Sequence, residues 1–384
     1  MKKNTIKPID SLLDKEADQP LKNVQPFSVE PILPRNDGKP ILIAGPCGVE
    51  SKEQLFSTIE LLSESAEIDM FRCGIWKPRS SPNSFQGVGK KALPWLIEIQ
   101  LAYQIPVCIE IATPKHLELA LDAGIQNFWI GARTSTNPFM VDEIASVAQG
   151  TDISVMIKNP VSPDLQLWYG NFERFVKAGI RKLAGVYRGF SIGSIQPYRN
   201  DPMWQLLIDF KRTYRDIPVF CDPSHIAGER NHVFEIAQKA LFLDIDGLMI
   251  EVHNNPSQAL SDKEQQLSAP EFKDLIDCLI FPSKGEKTDH TLEKYRNSLD
   301  SLDKELIHLL GKRTEMIKQI ASYKKEQNIP ILQIERWEKV RERNLAFAKE
   351  QRLDISFVES LLDLLHQYSI ECQEVIMRKE NNNN

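Results

Sequence analysis

Two apolar runs in this sequence each lead into a side chain that can do chemistry. Val219-Phe-Cys-Asp-Pro-Ser-His225 ends on an imidazole, and Gly247-Leu-Met-Ile-Glu-Val-His253 places a carboxylate, Glu251, directly after Leu248, Met249 and Ile250. A second carboxylate, Asp262, follows in a polar loop beyond Pro256. An imidazole and carboxylates at consecutive strand ends suit a divalent metal if one more ligand arrives from elsewhere. The candidate is Cys47, at the end of the first apolar run, Ile41-Leu-Ile-Ala-Gly-Pro-Cys47. Taken singly, Cys47 reads equally as a core thiol, and His253 or His232 as a packing or supporting group. The constellation is what favours a metal.

The elements that must position these groups follow from the periodicity. Apolar runs lie near 41–44, 69–73, 107–111, 128–131, 154–158, 182–187, 218–221 and 247–251. Between them apolar residues recur at three- and four-residue intervals, as over Lys90–Gln104, Pro114–Ala123, Pro163–Ala178 and Asn231–Phe242. Eight strand–helix units predict an α/β fold, a (β/α)8 TIM barrel over residues 39–281. A doubly wound open sheet competes, but no GxGxxG follows the first run. Arg72, Lys77, Arg79, Arg133, Lys158 and Arg188 all fall at or just past strand ends, the face on which barrel enzymes do chemistry. Cations converging on one mouth call for a substrate with several negative charges, and phosphates with a carboxylate fit best.

Composition sets the outer limits. With 384 residues and 42% hydrophobic content the chain can bury a barrel core and a second unit. A net charge of −6 and the lack of a basic run with interleaved aromatics speak against a nucleic-acid partner. No stretch of ~18 apolar residues exists to enter a membrane. Six cysteines without CxxC spacing read as reduced thiols of a cytoplasmic protein. Residues 1–38, with prolines at 8, 20, 26, 31 and 34, read as an extended arm carrying one short helix near Ser11–Lys15.

A polar linker over 282–289 opens a second domain, 290–379, followed by a short disordered tail over 380–384. Leu292, Tyr295, Leu299, Leu302, Leu306, Leu309, Ile317, Ile320 and Tyr323 trace a helix of ~35 residues, about 50 Å long. Two further helices are expected at 333–349 and 354–378. So small an all-α unit cannot cover such a helix from within, so a homodimer is expected. Arg313 and Lys324 share a face of the long helix, being about three turns apart, whereas Arg296 lies ~25 Å further along and is rotated away. An antiparallel partner could return its own Arg296 to the site.

The motifs of the first domain resemble those of the DAHP (3-deoxy-arabino-heptulosonate phosphate) synthases. They are Gly45-Pro-Cys-Gly-Val-Glu-Ser51, Lys77-Pro-Arg-Ser-Ser-Pro82, Phe85-Gln-Gly87, Ile130-Gly-Ala-Arg133, Asp222-Pro-Ser-His225, and Met249-Ile-Glu-Val-His253 with Ser261-Asp262 and Gln265. The resemblance implies condensation of phosphoenolpyruvate with erythrose 4-phosphate, releasing phosphate, on a divalent metal. It implies Cys47, His225, Glu251 and Asp262 as metal ligands, and Arg72, Lys77, Arg133, Lys158 and Arg188 around phosphoenolpyruvate. Arg79 and Ser80 fall where the family holds the aldose phosphate, and Lys77 is a candidate proton donor. A thiolate, imidazole and carboxylate set suits Mn, Fe, Co or Zn better than Mg or Ca. Where the family often carries a second Arg and Thr after the sixth strand, this chain reads Tyr187-Arg-Gly-Phe-Ser191. A related enzyme using arabinose 5-phosphate is the competing substrate reading.

The second domain resembles the all-helical chorismate mutases through Arg296 with Leu299-Asp-Ser-Leu-Asp303, Leu309-Leu-Gly-Lys-Arg313, Ile320-Ala-Ser-Tyr-Lys-Lys325, Arg336, and Ser369 with Gln373. This implies Claisen rearrangement of chorismate to prephenate with no cofactor, using Arg313, Lys324, Arg336, Ser369, Gln373 and the partner subunit's Arg296. Lys324 and Gln373 would stabilise charge on the breaking ether oxygen. Gln333 and Trp337 stand where related mutases commonly carry carboxylates. In the alternative reading the helical domain serves only for dimerisation and ligand sensing. In either case it could carry feedback to the barrel.

Overall fold

The computed structural model describes residues 29–33, 39–79, 81, 83–193, 197–282 and 290–378. They fall into two compact units, one within 20–285 and one within 286–384. The helix expected near Ser11–Lys15, most of the linker and the tail lie outside the described residues.

The first unit is a closed barrel of eight parallel strands in sequential order. These are β1 (Ile41–Gly45), β2 (Met70–Cys73), β3 (Val107–Ile111), β4 (Asn127–Ile130), β5 (Ser154–Lys158), β6 (Lys182–Tyr187), β7 (Val219–Cys221) and β8 (Gly247–Glu251). The ring closes where β1 pairs with β8, from Ile41 opposite Gly247 to Gly45 opposite Glu251. Helices α1 (Lys52–Ser65), α2 (Leu93–Tyr103), α3 (Pro114–Asp122), α4 (Pro138–Ala148), α5 (Leu165–Lys177), α6 (Trp204–Thr213), α7 (Pro223–Ala227), α8 (Val233–Phe242) and α9 (Ala269–Cys278) lie between and after the strands.

Capping chemistry sets several helix starts. Ser51, Thr113, Asn137 and Asp164 each accept a backbone N–H from the first turn, and Ser268 forms a reciprocal capping box with Glu271. The Asp164 cap is why α5 begins at Leu165 rather than at the expected Pro163. The expected helix over Lys90–Gln104 divides into a 3-10 turn, Gly89–Ala92, and α2, with Pro94 in the first turn of α2, where a missing N–H costs nothing.

Strand alternation splits the core in two. One set of side chains faces the helices, including Phe71, Ile109, Phe128, Ile157 and Ile250. The other fills the barrel interior: Ile43, Met70, Cys108, Trp129, Met156, Ala184, Val186, Phe220 and Met249. Ile32 joins this interior cluster, and Glu30 pairs with Lys182 at the start of β6. The described piece of the arm thus plugs the N-terminal end of the barrel.

The second unit has three helices, α10 (His290–Glu326), α11 (Ile334–Glu350) and α12 (Ile355–Arg378), close to the expected bounds. Asp354 Oδ1 accepts the N–H of Phe357, so it caps α12 instead of joining it. Among the described residues of this unit only four hydrophobic side chains are buried: Ile317, Ala321, Ala348 and Val358. No described helix is long and apolar enough to cross a membrane.

Candidate active sites of the two units

The site in the barrel is a continuation of its interior. Two residues beyond an interior side chain the same strand again points inward, now at the open C-terminal end. Met70 is thus followed by Arg72, Cys108 by Glu110, Met156 by Lys158, Val186 by Arg188, Phe220 by Asp222 and Met249 by Glu251; all six polar groups are buried. Trp129 forms the floor, with Arg72 5.1 Å and Lys158 6.0 Å from its ring.

The charges in this layer are unevenly met. Arg72 Nη2 donates to Glu251 Oε1 at 2.9 Å, and its Nη1 lies 3.9 Å from Asp222. Nε and Nη1 of the same fully buried guanidinium have no hydrogen-bond partner among the described residues, a costly condition that a bound anion would relieve. Lys158 Nζ pairs with Asp222 Oδ2 at 2.5 Å, yet burial still pulls its pKa down. Burial also pushes Arg188 down to about 10 against the opposing pull of Asp222, and Arg199 and Arg133 add to the lowering. Arg188 donates to the carbonyl of Gly189 and to Asn200 Oδ1, with no carboxylate pair among the described residues. Lys77 sits 3.6 Å from Glu110; burial opposes its charge, but Cys47, Glu110 and Glu251 hold its pKa above the ordinary value. Lys77, Arg79, Arg133, Lys158, Arg188, Arg199, His225 and Asp262 line one cavity.

Beside the cationic layer stands the candidate metal cluster. Ligand atoms of Cys47, Glu251 and Asp262 all lie within 4.8 Å of one another. Ligands of a single ion stand about 3.5 Å apart, given bonds of about 2.1–2.3 Å at tetrahedral angles, so small shifts would close this set on a cation. The donor chemistry fits too. Burial, with Glu251 and Asp262 beside it, pushes the Cys47 thiol up to about 12, so only a cation would make it a thiolate at neutral pH. Its Sγ donates to Asp262 Oδ2 at 3.0 Å. Asp262 adopts a left-handed backbone, φ 47°, one of the few non-glycine residues to do so.

His225 is not gathered into this trio. It stands just past the end of β7, as expected, but within the one-turn helix α7, whose cap, Asp222, accepts the His225 N–H. Its Nδ1 lies 2.8 Å from Asp222 Oδ2 and 3.7 Å from Glu251 Oε1. Burial lowers its pKa so that the ring is neutral, as a ligand must be. Ser80 lies outside the described residues.

Supporting groups fix this geometry. Gln265 donates to Glu251 Oε2 at 2.6 Å, and Gln266 accepts the Cys47 N–H. A Cβ at Gly74 would run into the carbonyl oxygen of Cys47, so the close approach of β2 to the Cys47 loop requires glycine there.

In the helical unit, the buried polar side chains among the described residues are Lys324, Ser369 and Gln373, all three anticipated as site residues. Lys324 Nζ donates to the carbonyl of Ile331, and burial lowers its pKa. Gln373 Nε2 donates to the carbonyl of Ser369, one turn back, while its Oε1 is buried without a partner. Lys324 lines a cavity with Met316, Ile320, Tyr323 and Gln333; Arg313, Ser369 and Gln373 are not part of its wall. Arg313 is half-buried, and Arg296 and Arg336 are exposed. Trp337 stacks on His366 at 3.9 Å.

With this geometry in hand, comparison with known proteins is decisive. The family model "DAHP synthetase I family" matches residues 20–280. The chain belongs to the DAHP synthetase I family. A second family model, "Chorismate mutase type II", matches residues 295–374, so the chain is a bifunctional enzyme, a DAHP synthase with a chorismate mutase domain, carrying two activities of aromatic biosynthesis. Among curated relatives, the phospho-2-dehydro-3-deoxyheptonate aldolase of Thermotoga maritima is 31% identical over 236 residues, 61% of this chain and 67% of that one. A 2-dehydro-3-deoxyphosphooctonate aldolase of Desulfotalea psychrophila is 26% identical, covering 63% of this chain and 90% of that protein. A crystal structure of the Thermotoga maritima DAHP synthase matches with a TM-score of 0.56 and 29% identity over 63% of this chain and 68% of that one.

Within this DAHP synthase barrel, sequence reasoning passed over Glu110, Asp222 and Arg199 as site residues. The first two were within reach, because each stands two residues after an interior side chain of its strand. Arg199 follows no such rule; it lies in the long connection from β6 to α6 and meets Asp262 only through the fold.

Proposed function

We propose that the barrel condenses phosphoenolpyruvate with erythrose 4-phosphate to DAHP and phosphate, using a divalent cation held by Cys47, Glu251, Asp262 and His225. The observation that carries this reading is the juxtaposition of an under-compensated cationic layer with a thiol–carboxylate cluster at one barrel mouth. Arg72, Lys158 and Arg188 would take the carboxylate and phosphate of phosphoenolpyruvate with Arg133, and Arg79 the phosphate of the aldose. The cation supplies Lewis acidity toward the aldehyde. The enol carbon forms the new C–C bond, Lys77 delivers a proton to the new hydroxyl, water adds at the neighbouring carbon, and phosphate leaves with its C–O bond. Erythrose 4-phosphate is favoured over arabinose 5-phosphate by the Lys77-Pro-Arg79 run and by the presence of the mutase domain.

The helical unit would rearrange chorismate to prephenate as a homodimer. Four buried hydrophobic side chains cannot stabilise three helices, whereas Leu299, Leu302, Leu306, Leu309 and Tyr323 of α10 are all exposed. A second, antiparallel copy would cover them and bring Arg296 of the partner subunit beside Arg313 and Lys324. Arg313, Arg336 and that arginine suit the two carboxylates, and Lys324, Gln373 and Ser369 supply polar contacts inside. Feedback through this domain on the barrel completes the proposal.

The first test is phosphate release from phosphoenolpyruvate and erythrose 4-phosphate before and after chelation, beside loss of chorismate in the absence of other substrates. Activity that chelation removes and Mn, Fe, Co or Zn restores supports the barrel reading; unaffected activity defeats it. Chorismate turnover that Gln373→Ala removes supports the second site, and binding without turnover reduces that domain to a sensor.

A further inference from the structure

Asp262 is claimed from both sides by arginine. Oδ2 accepts from Arg79 Nη1 at 3.1 Å, and Oδ1 from Arg199 Nη1 at 2.9 Å. Each arginine also has a second anchor that does not depend on Asp262: Arg79 Nε donates to the carbonyl of Phe85, and Arg199 Nη1 to Gln265 Oε1 at 2.8 Å. Arg199 is built in at its backbone as well. Its N–H donates to the carbonyl of Ala227, and a Cβ on Gly228 would collide with that of Arg199. Asn200 beside it donates to the carbonyl of His225. The arginine is thus mounted on the α7 turn that carries the imidazole, and it faces the same cavity as Arg79, Arg133 and Arg188.

Two arginines and a dication cannot share one carboxylate on equal terms. A cation that takes Asp262 draws the carboxylate's charge and lone pairs away from both guanidiniums, which their second anchors would still hold at the cavity wall. We propose that Asp262 is a carboxylate contended for by the metal and by Arg79 with Arg199, so that cation binding frees a preformed pair of guanidiniums for the phosphate of the second substrate. Arg199 is thereby a phosphate-binding residue, and metal and phosphate bind cooperatively through it. This inference rests on the metal reading given above and adds a coupling to it.

The test uses the full-length protein with phosphoenolpyruvate saturating, so that inorganic phosphate can take only the second phosphate position. Mn²⁺ binding is followed by electron paramagnetic resonance and phosphate binding by calorimetry. In the wild type, Mn²⁺ raises phosphate affinity by roughly 5- to 150-fold, the usual span of site coupling, and phosphate raises Mn²⁺ affinity by the same factor. Arg199→Ala tightens Mn²⁺ binding without phosphate, because a rival for Asp262 is gone, and loses most of the Mn²⁺-dependent gain in phosphate affinity; Arg199→Lys recovers part of that gain. A residue with only a structural role would weaken both ligands together. Phosphate affinity indifferent to Mn²⁺ in the wild type, or an Arg199→Ala protein whose Mn²⁺ affinity is unchanged or weakened, overturns the coupling alone. A wild type that binds none of Mn²⁺, Fe²⁺, Co²⁺ and Zn²⁺ overturns the metal reading with it.

Discussion

At the scale of the residue, Asp222 is the hub of the barrel site. It holds Lys158 and His225 directly, lies 3.9 Å from Arg72, and caps α7 through the His225 N–H. Burial works against its charge, but His225, Lys158 and Arg72 outweigh it and hold its pKa well below the ordinary carboxylate range. A depressed folded pKa means that its stabilisation is complete above the unfolded value, about 3.9, and is lost as pH falls below it. Asp222→Asn should therefore cost about 3–5 kcal/mol at pH 7, by leaving buried cations unpaired, and flatten the stability profile below pH ~4. Denaturant unfolding between pH 3 and 7 checks both; a variant as acid-sensitive as the wild type would contradict the assignment. In the other unit, Lys324→Ala should lower mutase turnover by ~10²-fold or more with synthase rate mostly intact, and an unchanged mutase rate would remove Lys324 from the site.

At the scale of the element, β2 and the Cys47 loop must almost touch. Gly74→Ala places a methyl group against the carbonyl of Cys47 and must displace the thiol from Glu251 and Asp262. The expected outcome is a metal affinity reduced by about tenfold or more, in the range set by disturbed ligand support, measured by competition with a chelating dye. The arm segment is an element of stability rather than chemistry. Ile32→Ala removes a buried side chain from the interior cluster at the end far from the site, and should cost about 2–5 kcal/mol while metal binding is retained.

At the scale of the whole molecule, the helical unit buries few hydrophobic side chains among its described residues, and the proposed dimer would cover the rest. Leu306→Asp places a charge on the exposed stripe of α10 and should convert a dimer to a monomer with a parallel loss of mutase activity, as read by sedimentation. The barrel closes its own sheet and core, so a chain ending at residue 282 should keep synthase activity. It should lose any inhibition by chorismate or prephenate; inhibition that persisted would place the effector site in the barrel.

The sequence by itself determined the strand and helix order and the two families, and it named most of the residues that the fold gathers at the barrel mouth. These depend on local periodicity and on side chains at strand ends, which the chain writes in order. Even Glu110 and Asp222 were legible there, two places after Cys108 and Phe220. Only the tertiary structure decided that Arg199 and Arg79 meet on Asp262, that His225 turns Nδ1 to Asp222 within a helical turn, and that Ile32 plugs the barrel. Those contacts join segments far apart in sequence, and no local pattern encodes them; closing the eight-stranded ring is what brings them within hydrogen-bonding or packing distance.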